Sequence, residues 1–262
     1  MPTRVLVTGA SGVLGRSLLA RPAAPNYAVR ALSRRERPGA GGVVEWRRAD
    51  LATGEGLDAA VEGVDVVVHA ASSAARDTQR TDVEGTRALL AAARGAGVKH
   101  LVYVSIVGVD RVPIPYYAHK LAAEEVVRGG DVPWTIVRGT QFHDFMDVIF
   151  RQLTRFPVAV VPRGFLGQPV HVGEFADALW RAAAEGPAGR APDVAGPEVL
   201  SYAEMLRAWK GARGIRKLTI PVPIPGQASA AIRGGALTAP DRKVGRVTWW
   251  EWVRARYAAG PA

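Results

Sequence analysis

The chain has 262 residues, 48% of them hydrophobic, and it contains no cysteine. This length and apolar content suit one medium-sized α/β domain, and the missing cysteines exclude disulfides, zinc–thiolate sites and a cysteine nucleophile. The 34 basic and 24 acidic residues give a net charge of +10. Nucleic-acid binding is therefore an alternative, but the arginines are scattered and are not interleaved with aromatic residues, so we favour a solvated, arginine-rich surface and expect no nucleic-acid partner.

The first strand begins almost at the N-terminus, so we expect no signal peptide, and no apolar run approaches the roughly 18 residues of a membrane helix. We therefore expect a cytoplasmic protein without a membrane partner. Alternating strand and helix patterns predict a doubly wound parallel α/β sheet. The predicted strands lie near 4–8, 27–32, 43–48, 64–70, 98–105 and 133–138, and the predicted helices near 13–21, 55–62, 79–95, 116–129 and 142–154.

A glycine-rich turn follows the first predicted strand. An apolar run over 4–8 is followed by glycines at positions 9, 12 and 15 and then by a helical pattern. Strand, glycine turn and helix together place a helix N-terminus under a phosphate group. Gly9 allows the tight turn, Gly12 lets backbone N–H groups approach a pyrophosphate, and Gly15 lets the helix pack close to the strand. The alternative is an ordinary strand-to-helix turn with incidental glycines.

The turn after the second predicted strand is basic. Ser33, Arg34 and Arg35 stand there, and no acid follows until Glu36. An NAD enzyme usually has Asp or Glu at this place for the ribose 2′-hydroxyl, whereas Arg34 and Arg35 can hold a 2′-phosphate by charge and fork geometry. The turn predicts NADP(H) as the preferred cofactor, with NAD(H) as the alternative; a basic surface turn would explain it equally simply.

The segment from Thr8 to Gly15, T-G-A-S-G-V-L-G, resembles the T-G-A-[ST]-G-x-x-G of extended and atypical short-chain dehydrogenases/reductases, including the NmrA-like group. The resemblance implies a single NAD(P)-binding Rossmann domain over residues 1–262, with residues from about 140 onward contributing a small C-terminal substrate-binding lobe. In the turn itself, the residues implied to contact the cofactor phosphates are Gly9, Ser11, Gly12, Val13, Leu14 and Gly15.

Two further segments match this family's cofactor contacts. Asp50, followed by Leu51, stands where the family has an Asp that accepts a hydrogen bond from the adenine amino group; an N-cap or loop Asp is the alternative. Ala70, Ala71 and Ser72 follow the fourth predicted strand, and the resemblance implies that their backbone lies against the cofactor ribose. His69, at the end of the same predicted strand, is interpreted as a packing residue without a chemical role.

Residues 101–120 resemble the catalytic segment of short-chain reductases. Ser105 ends a predicted strand, and Tyr116 and Lys120 are spaced i, i+4, which places both on one face of a helix. An ammonium group near a phenol lowers the pKa of the phenol from about 10 toward neutral pH. We predict Tyr116 as the general acid, Lys120 as its tuner and as a ribose ligand, and Ser105 as a donor to the same substrate oxygen.

Two observations and one general alternative leave room for other interpretations of this segment. Tyr117 is a rival acid, but it is spaced i, i+3 from Lys120. Asp82 stands where other family members place an Asn of a proton relay. The tyrosine can also simply pack on its helix while the lysine is solvated.

The substrate side is predicted after the sixth strand. Gly139 and Thr140 match a family stretch whose backbone lies near the nicotinamide, although Gly139 stands where proline is usual. Phe142 and Met146 are predicted to line an apolar substrate pocket, together with His143 as a second acid or a substrate ligand. Phe145 and Phe150 share the helical spacing, and an ordinary core stripe is the alternative for these two. The His and Asp residues of this region do not form a convincing metal-ligand cluster, so no metal is expected.

The resemblance implies an NADPH-dependent reductase that transfers hydride to a carbonyl, enone or quinone of a mostly apolar small molecule. The alternative is a non-catalytic NADP(H)-binding sensor or regulatory protein of the NmrA type. We expect a monomer or a homodimer with a small-molecule substrate.

Overall fold

The first half of the chain alternates strands with helices. The structure is a computed structural model that describes residues 2–21, 26–35, 44–73 and 77–258. A π-helical segment, Gln79–Glu84, leads into the third α-helix. The elements of this half are β1 (Thr3–Thr8), α1 (Val13–Leu19), β2 (Tyr27–Ser33), β3 (Val44–Arg48), α2 (Leu57–Val61), β4 (Val66–His69), α3 (Gly85–Gly95), β5 (His100–Ile106), α4 (Pro115–Arg128) and β6 (Trp134–Gly139).

The second half is less regular and contains several short strands. Two of its helices begin with capping boxes, Ser201 with Glu204 and Thr248 with Glu251, which satisfy the first free N–H groups of each helix. The elements are α5 (His143–Leu153), β7 (Ala159–Pro162), β8 (Leu166–Gly167), α6 (Val172–Glu185), β9 (Gly189–Arg190), β10 (Leu200–Ser201), α7 (Tyr202–Ala212), β11 (Thr219–Val222), α8 (Gln227–Arg233) and α9 (Trp249–Tyr257).

The main sheet confirms the predicted doubly wound architecture. Over the described residues it has seven strands in the order β3-β2-β1-β4-β5-β6-β9. β1 pairs in parallel with both β2 and β4, and the strand order reverses between β1 and β4. In open parallel sheets, ligands bind beyond the carboxyl ends of the strands at such a reversal. The predicted strand at 43–48 is present as β3 over its described residues; residue 43 lies outside them.

The chain divides into two units. The first comprises residues 1–105, 115–138 and 176–192, and it holds the main sheet. The second comprises residues 106–114, 139–175 and 193–262. In the first unit the apolar face of α3 and the strands form one core, and in the second unit aromatic residues of α5, α7 and α9 form another. Residues 176–192, which carry most of α6 and β9, thus belong with the sheet.

One buried carboxylate links three helices of the second unit. Asp147 on α5 accepts hydrogen bonds from Trp209 Nε1 on α7 at 2.6 Å, from the Tyr257 hydroxyl on α9, and from Arg151 Nε at 2.9 Å. Burial raises the pKa of Asp147, but these hydrogen bonds outweigh burial and leave the pKa below its ordinary value. The ionised form of Asp147 therefore stabilises the packing of all three helices.

Candidate functional site

A cavity of about 220 Å³ lies in the first unit, beyond the carboxyl ends of β1, β2 and β4. It occupies the position where a ligand is expected in a sheet of this strand order. Ten of the residues predicted to contact a cofactor line it: Gly9, Ser11, Gly12, Ser33, Arg34, Asp50, Leu51, Ala70, Ala71 and Ser72. The sequence analysis did not single out four other lining residues, Leu32, Ala52, Ser73 and Thr81.

Glycine stands at three positions of the first turn for different structural reasons. Gly9 has φ +66°, and a Cβ there would lie 2.7 Å from Ala71 Cα. A Cβ on Gly15 would lie 2.2 Å from Gly9 O, so the turn itself excludes a side chain there. A Cβ on Gly12 would meet only Gly9 O, at 3.2 Å. The described chain therefore requires glycine at positions 9 and 15, whereas Gly12 leaves open a wall of the cavity that a methyl group would narrow.

Arg34 and Arg35 are both exposed but only Arg34 lines the cavity. Arg34 also borders an adjoining cavity of about 140 Å³ together with Arg48 and Glu55. The preceding arginine of β2, Arg30, is buried and donates to Glu45 Oε2 at 2.9 Å and to the carbonyl oxygens of residues 60 and 62. Arg30 therefore holds β2 in place, and Arg34 is the basic group that faces the space.

Asp50 has a local structural role as well as a place in the cavity wall. Its Oδ1 accepts a hydrogen bond from the backbone N–H of Ala52 at 2.9 Å, which closes an Asx turn after β3. The same side chain borders both cavities. The loop alternative and the adenine-binding prediction for Asp50 are therefore compatible.

A buried histidine fixes the wall of the cavity. His69 Nδ1 lies 2.7 Å from Thr8 Oγ1, and His69 Nε2 lies 3.0 Å from Thr86 Oγ1. Because the Thr86 hydroxyl donates its one proton to Asp82 O, we assign the His69 proton to Nε2. Burial, aided by the Lys120 charge, lowers the pKa of His69 to about 3. His69 is thus a neutral packing residue, as interpreted from the sequence.

Tyr116 is connected to the cavity wall by a hydrogen bond to Ser72. The Tyr116 hydroxyl and Ser72 Oγ are 2.9 Å apart, and Ser72 lines the cavity. Burial raises the pKa of Tyr116 above its ordinary value, the hydrogen bond from Ser72 opposes this, and the Asp82 charge adds to it. The phenol therefore stays protonated at neutral pH, and the predicted lowering of its pKa is wrong for the structure described.

The Lys120 ammonium group is hydrogen-bonded to the phenol of Tyr103, not to that of Tyr116. Its Nζ donates to the Tyr103 hydroxyl at 2.7 Å and to the Val104 carbonyl oxygen at 2.9 Å, and it lies 3.7 Å from Asp82 Oδ1. Burial lowers the pKa of Lys120 to about 8, against the attraction of Asp82 and Glu124. Tyr103 and Ser105 are two residues apart on β5, so their side chains lie on the same face of the sheet. This spacing could have identified Tyr103 as a member of the candidate site from the sequence. The predicted tuning of Tyr116 by Lys120 is therefore corrected to a pairing with Tyr103.

Asp82 and Ser105 complete this buried cluster. Asp82 Oδ2 accepts from the backbone N–H of Ser73 at 3.1 Å, and Asp82 Oδ1 has no hydrogen-bond partner among the described residues. Ser105 Oγ is buried and likewise has no well-aligned partner in the described ranges. It lies close enough to Glu124 to help Arg138 lower the pKa of that carboxyl, which burial raises. Ser105 is thus near Glu124 and is not hydrogen-bonded to Tyr116.

The predicted substrate-side residues belong to the second unit, and two of them are inaccessible. His143 and Met146 have no solvent exposure. The His143 ring lies 5.7 Å from Trp249 and 5.6 Å from Trp252, and burial, with a smaller contribution from His171, lowers its pKa to about 3. His143 and Met146 are therefore core residues, which corrects the predicted pocket.

The remaining residues of this stretch are explained by packing. Phe142 is half-buried, and its ring lies 5.3 Å from that of Phe175. A Cβ on Gly139 would lie 2.4 Å from the Phe175 ring, so glycine is required there by the second unit itself. Thr140 is buried, with its N–H bonded to Val194 O at 3.0 Å. Gly139 and Thr140 do not line the described cavity, and neither do Val13, Leu14 and Gly15.

Other candidate sites are less well supported. Two wider surface grooves, of about 870 and 690 Å³, lie between α2 and α3 and between α3 and α4, and no predicted site residue lines them. Within the described ranges no group of three or more His, Asp or Glu side chains is arranged to hold a metal ion. The longest described helices, α4 and α6, have 14 residues each, and no described helix has the length and apolarity to cross a bilayer.

Residues 9–156 match a family model described as NAD(P)H-binding. A 4-hydroxy-2-methyl-3-oxo-4-farnesyl-3,4-dihydroquinoline-1-oxide ketoreductase from Stigmatella aurantiaca is 30% identical, over 89% of this chain and 80% of that protein. A (4-alkanoyl-5-oxo-2,5-dihydrofuran-3-yl)methyl phosphate reductase from Streptomyces griseus is 34% identical, over 76% of this chain and 70% of that protein. For three other curated relatives the match spans only 46%, 34% and 53% of their own length.

Among solved structures, the NADPH complex of the quinone oxidoreductase QOR2 from Escherichia coli superposes with a TM-score of 0.79. The match covers 97% of this chain and 99% of that chain at 19% sequence identity. An identity this low supports a shared fold and nothing more specific.

Proposed function

The chain belongs to the NAD(P)H-binding family, and from this membership we propose that it is an NADPH-dependent reductase of a carbonyl, enone or quinone in a mostly apolar small molecule. The observation that carries the proposal is the hydrogen bond between the Tyr116 hydroxyl and Ser72, because Ser72 also lines the cavity at the ends of β1 and β4. In this proposal, a protonated phenol is bonded to the wall of the space that takes the cofactor.

The residues of the cavity fit a dinucleotide. In the proposal, the Gly9–Gly12 turn holds the pyrophosphate, and the open wall at Gly12 admits it. Contacts from the N–H groups of Val13 and Leu14, which do not line the cavity, stay a prediction. Asp50 accepts from the adenine amino group, and the backbone at 70–72 lies along a ribose. Arg34 meets the 2′-phosphate, since it is the arginine of this turn that lines the cavity.

The chain's own residues would supply the proton for the reaction. A bound nicotinamide cofactor would provide the hydride that the carbonyl carbon accepts. Tyr116 donates its phenolic proton to the carbonyl oxygen, so that an alcohol forms, and Ser72 orients the phenol for this transfer. In the proposal, Asp82 acts on Tyr116 through its charge, and the Lys120–Tyr103 pair positions Asp82. The donation by Ser105 to the substrate oxygen stays a prediction; its hydroxyl has no other well-aligned partner among the described residues.

The test is NADPH consumption by the purified protein against a panel of quinones, enones and ketones of increasing apolar size. We expect turnover with at least one member of the panel and the matching alcohol or quinol as product. Tight NADPH binding with no turnover on any member would contradict the reductase proposal.

The same measurement distinguishes the second candidate, a non-catalytic NADP(H) sensor. One observation favours a sensor: Lys120 is engaged by Tyr103 and does not lower the pKa of Tyr116. A sensor would bind NADPH as tightly in a Tyr116→Phe variant as in the unaltered protein and would reduce nothing.

Gly12→Ala is expected to weaken NADPH binding about tenfold, comparable to the loss of one good hydrogen bond. The added Cβ would lie 3.2 Å from Gly9 O, a tight contact that the turn must relieve by a shift of a few tenths of an ångström, and the methyl group narrows the proposed phosphate wall. Isothermal titration calorimetry measures the affinity, and thermal unfolding without cofactor measures separately what this contact costs the fold. An unaltered affinity for NADPH would contradict the assignment of the pyrophosphate to this turn.

Arg34→Ser is expected to weaken NADPH binding by about 10- to 100-fold, the range of a charge-assisted hydrogen bond, and to leave NADH binding unchanged. Arg35→Ser is the matched control, because Arg35 is equally basic and exposed but does not line the cavity. Dissociation constants for both cofactors check the prediction. Equal affinity of the unaltered protein for NADPH and NADH, or a larger loss in Arg35→Ser, would overturn it.

A further inference from the structure

An exposed apolar face occurs on the small parallel sheet of the second unit. β7 and β11 pair so that Val160 lies opposite Ile220 and Pro162 lies opposite Val222. The alternate residues of β7, Ala159 and Val161, are buried in the aromatic core. One side of β7 thus packs on the core, whereas the other side, where polar residues are expected, carries aliphatic side chains, and β11 continues this exposed side with Ile220 and Val222.

The face extends beyond both strands. We define the β7–β11 face by seven side chains that are all at least 37% exposed, with Leu218 at 66% and Phe156 at 61%: Phe156, Val158, Val160, Leu218, Ile220, Val222 and Ile224. Exposed apolar residues that occur singly are ordinary, but contiguous apolar patches mark contact surfaces. The described structure places nothing over this one.

The two chain segments that carry this face contain basic but no acidic residues, although Arg151 of the first segment is paired with Asp147 just before it. Residues 148–173 contain three arginines, residues 205–240 contain four arginines and two lysines, and neither segment contains an Asp or Glu. Several of these groups touch the face. Arg155 stacks 4.9 Å from the Phe156 ring, Lys217 Nζ donates to Phe156 O at 3.1 Å, and Arg233 donates to Ile224 O at 2.9 Å.

We propose that the β7–β11 face docks on the surface of an anionic phospholipid bilayer. Aliphatic side chains that can enter the lipid interface, bordered by cations that attract anionic headgroups, are the two signals of peripheral membrane binding. A second copy of the chain is a poorer fit, because a two-fold contact would bring the same cations against one another. Nucleic acid is a poorer fit too, since the exposed groups are mainly aliphatic and cannot pair or stack with bases. The proposal departs from the sequence-based expectation of a protein without a membrane partner, and it concerns surface binding alone, since no described helix has the length and apolarity to cross a bilayer.

The test is flotation of the full chain with vesicles of phosphatidylcholine mixed with phosphatidylglycerol, and with vesicles of phosphatidylcholine alone. We expect binding only to the anionic vesicles, and weaker binding at high salt. Ile220→Asp should abolish binding, because it places a charge in the centre of the apolar face. Val199→Asp, at an exposed valine outside both basic segments, is the matched control and should bind normally.

A charge control separates this face from the general attraction of a protein of net charge +10. Arg155→Ala should weaken binding about fivefold, the contribution of one basic residue near an anionic surface. Arg87→Ala removes an equal charge from an exposed position on α3 and should have little effect. Circular dichroism and NADPH affinity show whether each variant is folded.

Four results would overturn the proposal. These are no binding to anionic vesicles, equal binding to both kinds of vesicle, an equal loss in Arg155→Ala and Arg87→Ala, and a dimer in light scattering that Ile220→Asp converts to monomers. Tighter binding to duplex DNA than to anionic vesicles in the same buffer would reassign the face to nucleic acid.

Discussion

Replacing Tyr116 by phenylalanine is expected to lower kcat of the reductase by about 100- to 10,000-fold, the usual contribution of a general acid. The substitution removes the only proton that this side chain can donate and leaves its ring in place. The hydroxyl it deletes is bonded to Ser72 at the cavity wall. Steady-state kinetics with the best substrate of the panel measure the effect, and the NADPH dissociation constant should change little.

Tyr117→Phe is the matched control for this experiment. The two phenols are neighbours on α4, with ring centroids 5.9 Å apart, but the hydroxyl bonded to the cavity wall is that of Tyr116. Tyr117→Phe should therefore leave kcat nearly unchanged. If Tyr117→Phe lost the activity and Tyr116→Phe kept it, the assignment of the acid would be reversed.

Lys120→Met is expected to lower the free energy of unfolding by about 3 to 5 kcal/mol, the cost of leaving a buried charge without its partner. Lys120 and Asp82 are both almost completely buried, and Asp82 Oδ1 has the Lys120 ammonium at 3.7 Å in place of a hydrogen bond. Urea unfolding of the cofactor-free protein measures the loss.

The double variant tests whether the effect comes from this pair. Asp82→Asn removes the charge that Lys120→Met leaves unpaired, so the double variant should recover most of the lost stability. Additive losses in the two single variants would show that Asp82 and Lys120 do not interact energetically, and the buried cluster would then have no electrostatic role.

The pKa of Lys120 adds a pH dependence of known sign. The pKa is lowered to about 8 in the folded state from an ordinary value of 10.5. Between these two values the unfolded chain binds more protons than the folded one, so the contribution of Lys120 to stability rises as the pH increases from about 8. This dependence should be absent in Lys120→Met.

The parts of the fold that depend on local pattern were predictable. The apolar run before Gly9 predicted β1, and the alternating strand and helix patterns predicted six of the seven strands described in the main sheet, β1 to β6. The glycine turn and Arg34, which line the cavity, followed from the same local features, whereas Asp50 and residues 70–72 were implied by the family resemblance. Spacing alone also placed Tyr116 and Lys120 on one helix.

The contacts that depend on distant partners were not predictable. Lys120 pairs with Tyr103, and spacing along α4 contains no information about a strand that precedes it. Met146 was assigned to a pocket because of its helical spacing with other apolar residues, and His143 because an imidazole can act as an acid or bind a substrate. Neither signal identifies what covers the residue. Here α9, about a hundred residues later in the chain, supplies Trp249 and Trp252.

The carboxylate of Asp147 makes the packing of three helices in the second unit sensitive to acid. Its pKa is held below the ordinary 3.8, so its contribution is complete above that value and disappears as the pH falls through the lowered pKa. Protonation would weaken the hydrogen bonds from Trp209, Tyr257 and Arg151 in a single step, because all three donors share this one acceptor. Strong acid would therefore release the C-terminal helix together with α7, as one cooperative event.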